Sequence, residues 1–157
     1  MKRPVTFWDG DRQHDFMDAD GALSVPHAED MKAKLQHLTG YAHTHGIPIV
    51  ASSDDHLLEH PEISSTPDFR DTFPPHCMRG TMGAEKIPQT ALRHPFVLEP
   101  EAVAHETLVR RLGPHDGDVL IRKHRFDVFS NPNTTALLES WDPTKVVLYG
   151  VATDFCV

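Results

Sequence analysis

The sequence predicts an alternating α/β domain built on a parallel sheet, and three observations carry that prediction. Short apolar runs recur at 5–8, 47–51, 119–121 and 146–149, each of strand length and too short for a helix. Between them lie stretches with apolar residues at helical spacing, and strands that alternate with helices build parallel sheets. Each run is also followed by residues capable of chemistry: Asp11, then Asp54 and His56, then Lys123, then Cys156. In open sheets of this kind ligands bind outside the carboxyl ends of the strands, so these residues belong on one rim.

The elements follow in order. Val5-Thr6-Phe7-Trp8 reads as the first strand, with acidic residues after it at Asp9 and Asp11. Residues 28–45 place Met31, Leu35, Leu38 and Ala42 on one stripe, which predicts a helix, and Gly46 is its stop signal. Ile47-Pro48-Ile49-Val50-Ala51 is the second strand, with Pro48 suited to its first residues. Residues 52–100 show no sustained periodicity and hold most of the thirteen prolines, which marks a long loop with a functional role or disorder. Residues 101–112 form a second helix through Val103, Leu108 and Leu112. Val119-Leu120-Ile121 is the third strand and 134–140 a short helix. Val146-Val147-Leu148-Tyr149 reads as a buried fourth strand, feeding the small-residue turn that ends in Cys156.

Composition narrows the function. A chain of 157 residues has the length of one domain with room for a sizeable core. Its net charge of -8 argues against nucleic acid or an anionic membrane as partner, because phosphate contacts need clustered Lys and Arg. No apolar stretch approaches a membrane span, and Val5-Thr6-Phe7-Trp8 is too short for the core of a signal peptide. Two cysteines, Cys77 and Cys156, make no disulfide framework, so the expected setting is cytoplasmic and reducing. Twelve histidines raise the prior for a metal or acid–base site.

Two sets of residues could carry chemistry. In the first, the Cys156 thiolate attacks a carbonyl carbon, Asp11 takes the thiol proton and returns it to the leaving group, and the Lys123 ammonium steadies charge. The alternatives are a buried inert cysteine, a turn aspartate, and a lysine solvated between Arg122 and Arg125. In the second, Asp54 and His56 stand two apart, so an extended backbone points both the same way. His76 lies in the stiff segment Phe73-Pro74-Pro75-His76-Cys77. One carboxylate and two imidazoles suit zinc, iron or manganese with positions left open, and His60 is a further candidate. The alternative is surface histidines. Cys77, beside His76, is read as structural.

The same residues resemble those of the isochorismatase-like cysteine hydrolases, and within them the nicotinamidases. The resemblance runs through Asp11-Arg12-Gln13-His14-Asp15-Phe16, Asp54-Asp55-His56, and Phe73-Pro74-Pro75-His76-Cys77 to Gly80-Thr81 and Gly83-Ala84-Glu85. It continues with Lys123, Phe126-Asp127-Val128-Phe129-Ser130 and the closing Gly150-Val151-Ala152-Thr153-Asp154-Phe155-Cys156-Val157. It implies a Rossmann-like three-layer α/β/α fold with a parallel sheet in the order 3-2-1-4-5-6. It implies Asp11 as general base, Lys123 as charge partner and Cys156 as the nucleophile of a thioester acyl-enzyme. Asp54, His56 and His76 would hold a divalent metal, zinc above all, that orients the pyridine nitrogen of nicotinamide and its water. Phe16 and Phe73 would sandwich the ring. A cis peptide before Ala152 would let the N–H groups of Ala152 and Cys156 form an oxyanion hole.

The expected activity is hydrolysis of nicotinamide to nicotinate and ammonia, a step of pyridine nucleotide salvage. Hydrolysis of another small amide, or a non-catalytic fragment, are the alternatives. The expected partner is a small-molecule amide, with neither nucleic acid nor membrane, and a homo-oligomer is compatible with the sequence. Residues 1–157 are expected to form one domain, with 52–100 as its metal- and substrate-binding loop region. Because the family continues past its cysteine through a helix and two strands, the expectation is that this chain is C-terminally incomplete. The fourth strand would then lie at an open edge, Cys156 would keep a thiol pKa near 8.5, and the chain would associate and turn over little.

Overall fold

In the computed structural model, which describes residues 2–157, the chain runs through β1 (Val5–Gly10), α1 (His14–Met17), α2 (Lys32–Thr44) and β2 (Ile49–Asp54). It continues through β3 (Phe96–Leu98), α3 (His105–Leu112), β4 (Val119–Lys123), α4 (Thr134–Trp141) and β5 (Lys145–Gly150). Among the described residues the strands form one sheet in the order β3-β4-β2-β1-β5, and every pairing is parallel. The four strands expected from the sequence stand in the expected order, β4-β2-β1-β5. Short β3 adds a strand beyond β4 that a three-residue run inside the proline-rich loop did not announce.

Alternation along the strands sorts side chains into two layers. On one face Trp8, Val50, Val119 and Ile121 pack with Leu108 and Leu112 of α3 and Leu137 and Trp141 of α4. On the other, Phe7 and Ile49 pack with Ala42 of α2. This gives the three-layer α/β/α arrangement. Central strands β1 and β2 are buried almost throughout, as a parallel strand covered on both faces must be. The helices obey simple rules. Leu108 and Leu112, like Leu137 and Trp141, are four apart and so share one face. Arg110 and Arg111 sit in the last turn of α3, where the helix dipole favours cations. Left-handed Asp142 (φ 47°) ends α4.

Three local expectations need correction. The helix predicted from residue 28 opens with a 3-10 turn at Glu29–Met31, and α2 proper starts at Lys32. Met31 therefore leaves the buried stripe and is 40% exposed. The second strand begins after Pro48, at Ile49. The strand first read as buried, β5, instead has the open edge that was also expected of it: among the described residues it pairs with β1 alone, leaving Val146, Val147 and Leu148 exposed at 43%, 36% and 53%. An apolar strand edge with unpaired backbone groups recruits other chains. Among the described residues no helix is long and apolar enough to cross a membrane.

Candidate active site

Asp11, Asp54, Lys123 and Cys156 meet at the carboxyl ends of β1, β2, β4 and β5. Lys123 arrives there because β4 alternates: Val119 and Ile121 point into the core, and the next residue on that face is Lys123, fully buried. Its Nζ lies 2.5 Å from Asp54 Oδ1, 3.0 Å from Asp11 Oδ2 and 3.8 Å from Cys156 Sγ. Solvation in a basic cluster, the alternative for Lys123, does not occur. Asp11 is fully buried too, with φ at 52°, a left-handed turn that aspartate tolerates.

Electrostatics define the resting state. Burial opposes the Lys123 ammonium, but Asp11, Asp54 and Cys156 outweigh it and hold Lys123 protonated well above its ordinary range. Burial likewise opposes the Asp54 carboxylate, yet Lys123, His56 and His76 keep it far below its usual value. Asp11 goes the other way: burial raises its pKa, aided by Asp54 and only partly offset by Lys123. The Cys156 thiol is pushed up by burial and by Asp11 and Asp54, against Lys123. The expectation of an ordinary thiol near 8.5 is thus corrected upward. Around Cys156 the chain forms a turn at residues 153–156, and two buried carboxylates face the sulfur. Cys156 thus rests as a thiol facing Asp11, whose Oδ2 lies 3.0 Å from the Lys123 ammonium.

Behind the sulfur, the Val151-Ala152 peptide is cis. Among the described residues the N–H groups of Ala152 and Cys156 donate to no other group, whereas Phe155 and Val157 both donate to the Ala152 carbonyl. In front lies a cavity of about 270 Å³ lined by Phe16, Phe73, Phe126, Phe155, His76 and Cys156. Phe73 and Phe155 stand edge to face, with centroids 5.3 Å apart. Phe126 and Phe155 were not singled out from the sequence, although both lie within segments it marked.

Asp54 and His76 line this cavity and, with His56, all three buried, offer ligand atoms within 4.8 Å of one another. The His76 ring donates through Nδ1 to the Pro74 carbonyl at 2.8 Å, which leaves the Nε2 lone pair facing inward. That Nε2 and the Nε2 of His56 each lie 3.8 Å from Asp54 Oδ2, too far for hydrogen bonds. Both ring nitrogens of fully buried His56 lack a partner. A buried polar group without one is costly, and a cation would supply it. Ligands about 2.0–2.2 Å from one tetrahedral ion stand roughly 3.3–3.6 Å apart, so small shifts would close this set on a divalent metal. The residues fit a metal.

Of the flanking histidines, His60 does not join this cluster. Its Nδ1 accepts from the Leu57 N–H at 3.1 Å, and its ring lies 4.0 Å from that of His124. Instead Glu62, missed in the sequence, brings Oε2 to 3.7 Å from His56 Nε2 while Oε1 accepts from the Phe126 N–H. Six residues beyond His56 in an aperiodic loop, it carried no spacing signal.

Fold and site define a parallel α/β domain with Asp, Lys and Cys side chains clustered at the carboxyl ends of its strands. A model of the Isochorismatase domain family matches residues 100–157. Nicotinamidase/pyrazinamidase of Mycobacterium tuberculosis is 35% identical over 79 residues, covering 50% of this chain and 41% of the relative, so the match spans about two-fifths of that relative's length. The pyrazinamidase of Pyrococcus horikoshii, solved in complex with zinc, superposes with TM-score 0.69 at 25% identity, covering 98% of this chain and 74% of its own. Yeast nicotinamidase bound to the inhibitor nicotinaldehyde gives TM-score 0.68 at 19% identity, covering 98% and 77%. The chain is thus similar to isochorismatase-like hydrolases, in sequence over residues 100–157 and in fold over nearly its whole length.

Proposed function

We propose that the chain is a nicotinamidase-like amidohydrolase that converts nicotinamide to nicotinate and ammonia through a Cys156 acyl-enzyme. The observation that carries this reading is the buried Lys123 ammonium bridging Asp11, Asp54 and Cys156, the last two of which line an aromatic cavity. Phe16 and Phe73 hold the pyridine ring and present its amide carbon to the sulfur. The thiol proton passes to Asp11 as sulfur bonds to that carbon. The carbonyl oxygen, now negative, is received by the free N–H groups of Ala152 and Cys156. Collapse breaks the C–N bond, Asp11 returns the proton, and ammonia leaves a thioester. Asp11 then deprotonates a water, which adds to the thioester; the thiol is re-formed and nicotinate departs. Lys123 keeps its charge throughout and balances the carboxylates.

Asp54, His56 and His76 would hold a divalent metal, with Glu62 poised as an additional oxygen donor. When bound, such an ion supplies a Lewis acid beside the cavity that fixes the ring nitrogen and a water. Zinc is the ion this donor set suits best, and the zinc complex of the P. horikoshii relative supports it. The small cavity and the nicotinaldehyde bound by the yeast relative support a pyridine substrate.

The test pairs two measurements on purified protein. Ammonia release from nicotinamide should exceed that from simple aliphatic amides, and elemental analysis should find near-stoichiometric divalent metal that His76→Ala loses. Metal-free folded protein that prefers an aliphatic amide would sink the nicotinamidase reading in favour of a metal-free relative.

A further inference from the structure

The segment from Asp11 to Phe16 supplies the base and one cavity wall, which leaves Gln13 and Asp15 without a task. Their surroundings give them one. Gln13 is fully buried, and its amide spends its main hydrogen-bonding capacity on backbone. Its Oε1 accepts from the Asp54 N–H at 2.7 Å, and its Nε2 donates to the Asp54 carbonyl at 2.7 Å and the Ala84 carbonyl at 2.8 Å. One side chain from the start of α1 thus grips both polar groups of the residue that ends β2. Two residues on, in the first turn of α1, Asp15 Oδ2 accepts from the Cys77 N–H at 2.6 Å, and Oδ1 from the Ala22 N–H at 3.1 Å. Cys77 has φ at 45° and follows His76 directly, so this bond fixes the backbone that carries the His76 ring. The clamp is built in from a third side. A Cβ on Gly83 would collide with the Asp15 carboxylate, so the turn Met82–Ala84 can wrap that carboxylate only because residue 83 has no side chain. Further ties join the same pieces: the His14 N–H donates to the Glu85 carbonyl at 3.0 Å.

We infer that Gln13 and Asp15 are positioning residues that set the separation of Asp54 and His76, and so tune the affinity of the site for a divalent cation. This rests on reading Asp54, His56 and His76 as a donor set. Neither residue touches substrate or the reacting atoms. The physical argument is that two ligands from separate loops hold a common ion only if their backbones are fixed to within fractions of an ångström, and groups behind ligands change metal affinity by about 10–100-fold.

Cobalt(II) titration, read from visible absorption bands of the bound ion, tests this without relying on turnover. Gln13→Met and Asp15→Ala should each weaken cobalt binding by about 10–100-fold in protein that circular dichroism reports as folded. Asp15→Asn, which keeps an oxygen for the Cys77 N–H, should recover most of the loss, and excess cation should restore the amidase rate in every variant. Should Gln13→Met fail to fold, Gly83→Ala carries the test, because its methyl displaces the Asp15 carboxylate while leaving that residue in place. Folded variants that bind cobalt as tightly as the parent would overturn the positioning role and leave the donor set standing. So would weakened binding that follows the thermal midpoint alone, with no rescue by Asp15→Asn. A parent chain that binds no cobalt would instead defeat the donor set itself, and this inference with it.

Discussion

Asp11→Asn should make Cys156 easier to alkylate while it removes amide hydrolysis. The two effects have one origin. Asp11 raises the thiol pKa, through its charge and the hydrogen bond it takes from the sulfur, while Lys123 lowers it. Neutralising Asp11 deletes a raising influence and leaves the ammonium, so the thiolate fraction at neutral pH grows. Turnover nonetheless collapses, because the leaving nitrogen no longer finds an acid and the hydrolytic water no longer finds a base. Positioned proton transfer is worth about 10²–10⁴-fold. Cys156→Ala should abolish hydrolysis outright and leave binding of nicotinamide intact, since it removes the nucleophile and little volume. The measurements are the iodoacetamide rate against pH and the release of ammonia. Slower alkylation in Asp11→Asn, or ammonia from Cys156→Ala, would show that the thiol does not work through Asp11.

Lys123→Met should give the largest loss of stability of any single change at the site. The ammonium is fully buried and is the cation for two fully or nearly fully buried carboxylates, Asp11 and Asp54. Removing one partner of a buried ion pair costs about 3–5 kcal/mol, because the other charge stays behind without water. In a domain of this size that lowers the thermal midpoint by roughly 10 °C. The dependence on pH has a definite sign. In the parent, Asp54 has a folded pKa below its unfolded value, so its contribution is present above about pH 4 and is lost as pH falls further. In the variant both carboxylates lose their cation: the folded pKa of Asp54 rises above its unfolded value, and that of Asp11, already raised, rises further. Each then penalises the fold increasingly as pH climbs above about 4. The gap between parent and variant should therefore narrow when denaturation is repeated near pH 4. A gap that widens in acid would mean that Lys123 is not the counter-ion of these groups.

How much could be read in advance depended on the kind of signal each residue left. The parallel α/β class was legible because short apolar runs alternate with helical stripes, whereas the order β4-β2-β1-β5 was implied only by the family resemblance. The meeting of Asp11, Asp54, Lys123 and Cys156 followed from the same logic, since parallel strands deliver their carboxyl ends to one rim. Lys123 was harder: among Arg122 and Arg125 it looks like a surface cation, and only the inward phase of Val119 and Ile121 marks it as buried. Glu62 and Phe155 left no trace in periodicity, because loop backbone decides where they point. β3 is too short to show a period at all. The upward shift of the Cys156 thiol could not be read from spacing, as it depends on how closely two carboxylates approach the sulfur in three dimensions.

Asp54 divides its two oxygens between neighbours of opposite kind: Oδ1 takes the Lys123 ammonium, and Oδ2 faces the imidazoles of His56 and His76. A carboxylate has one unit of negative charge to share. Whatever positive charge gathers at Oδ2 therefore loosens the hold of Oδ1 on Lys123, and leaves more of the ammonium for Asp11 and Cys156. The traffic runs both ways, because thermodynamic linkage is reciprocal: a change in the protonation of the thiol alters cation affinity at Oδ2 by the same factor. The cluster around Lys123 and the imidazole cluster thus form one cooperative unit joined through a single side chain, and substitutions at Lys123 and at His76 cannot be expected to add.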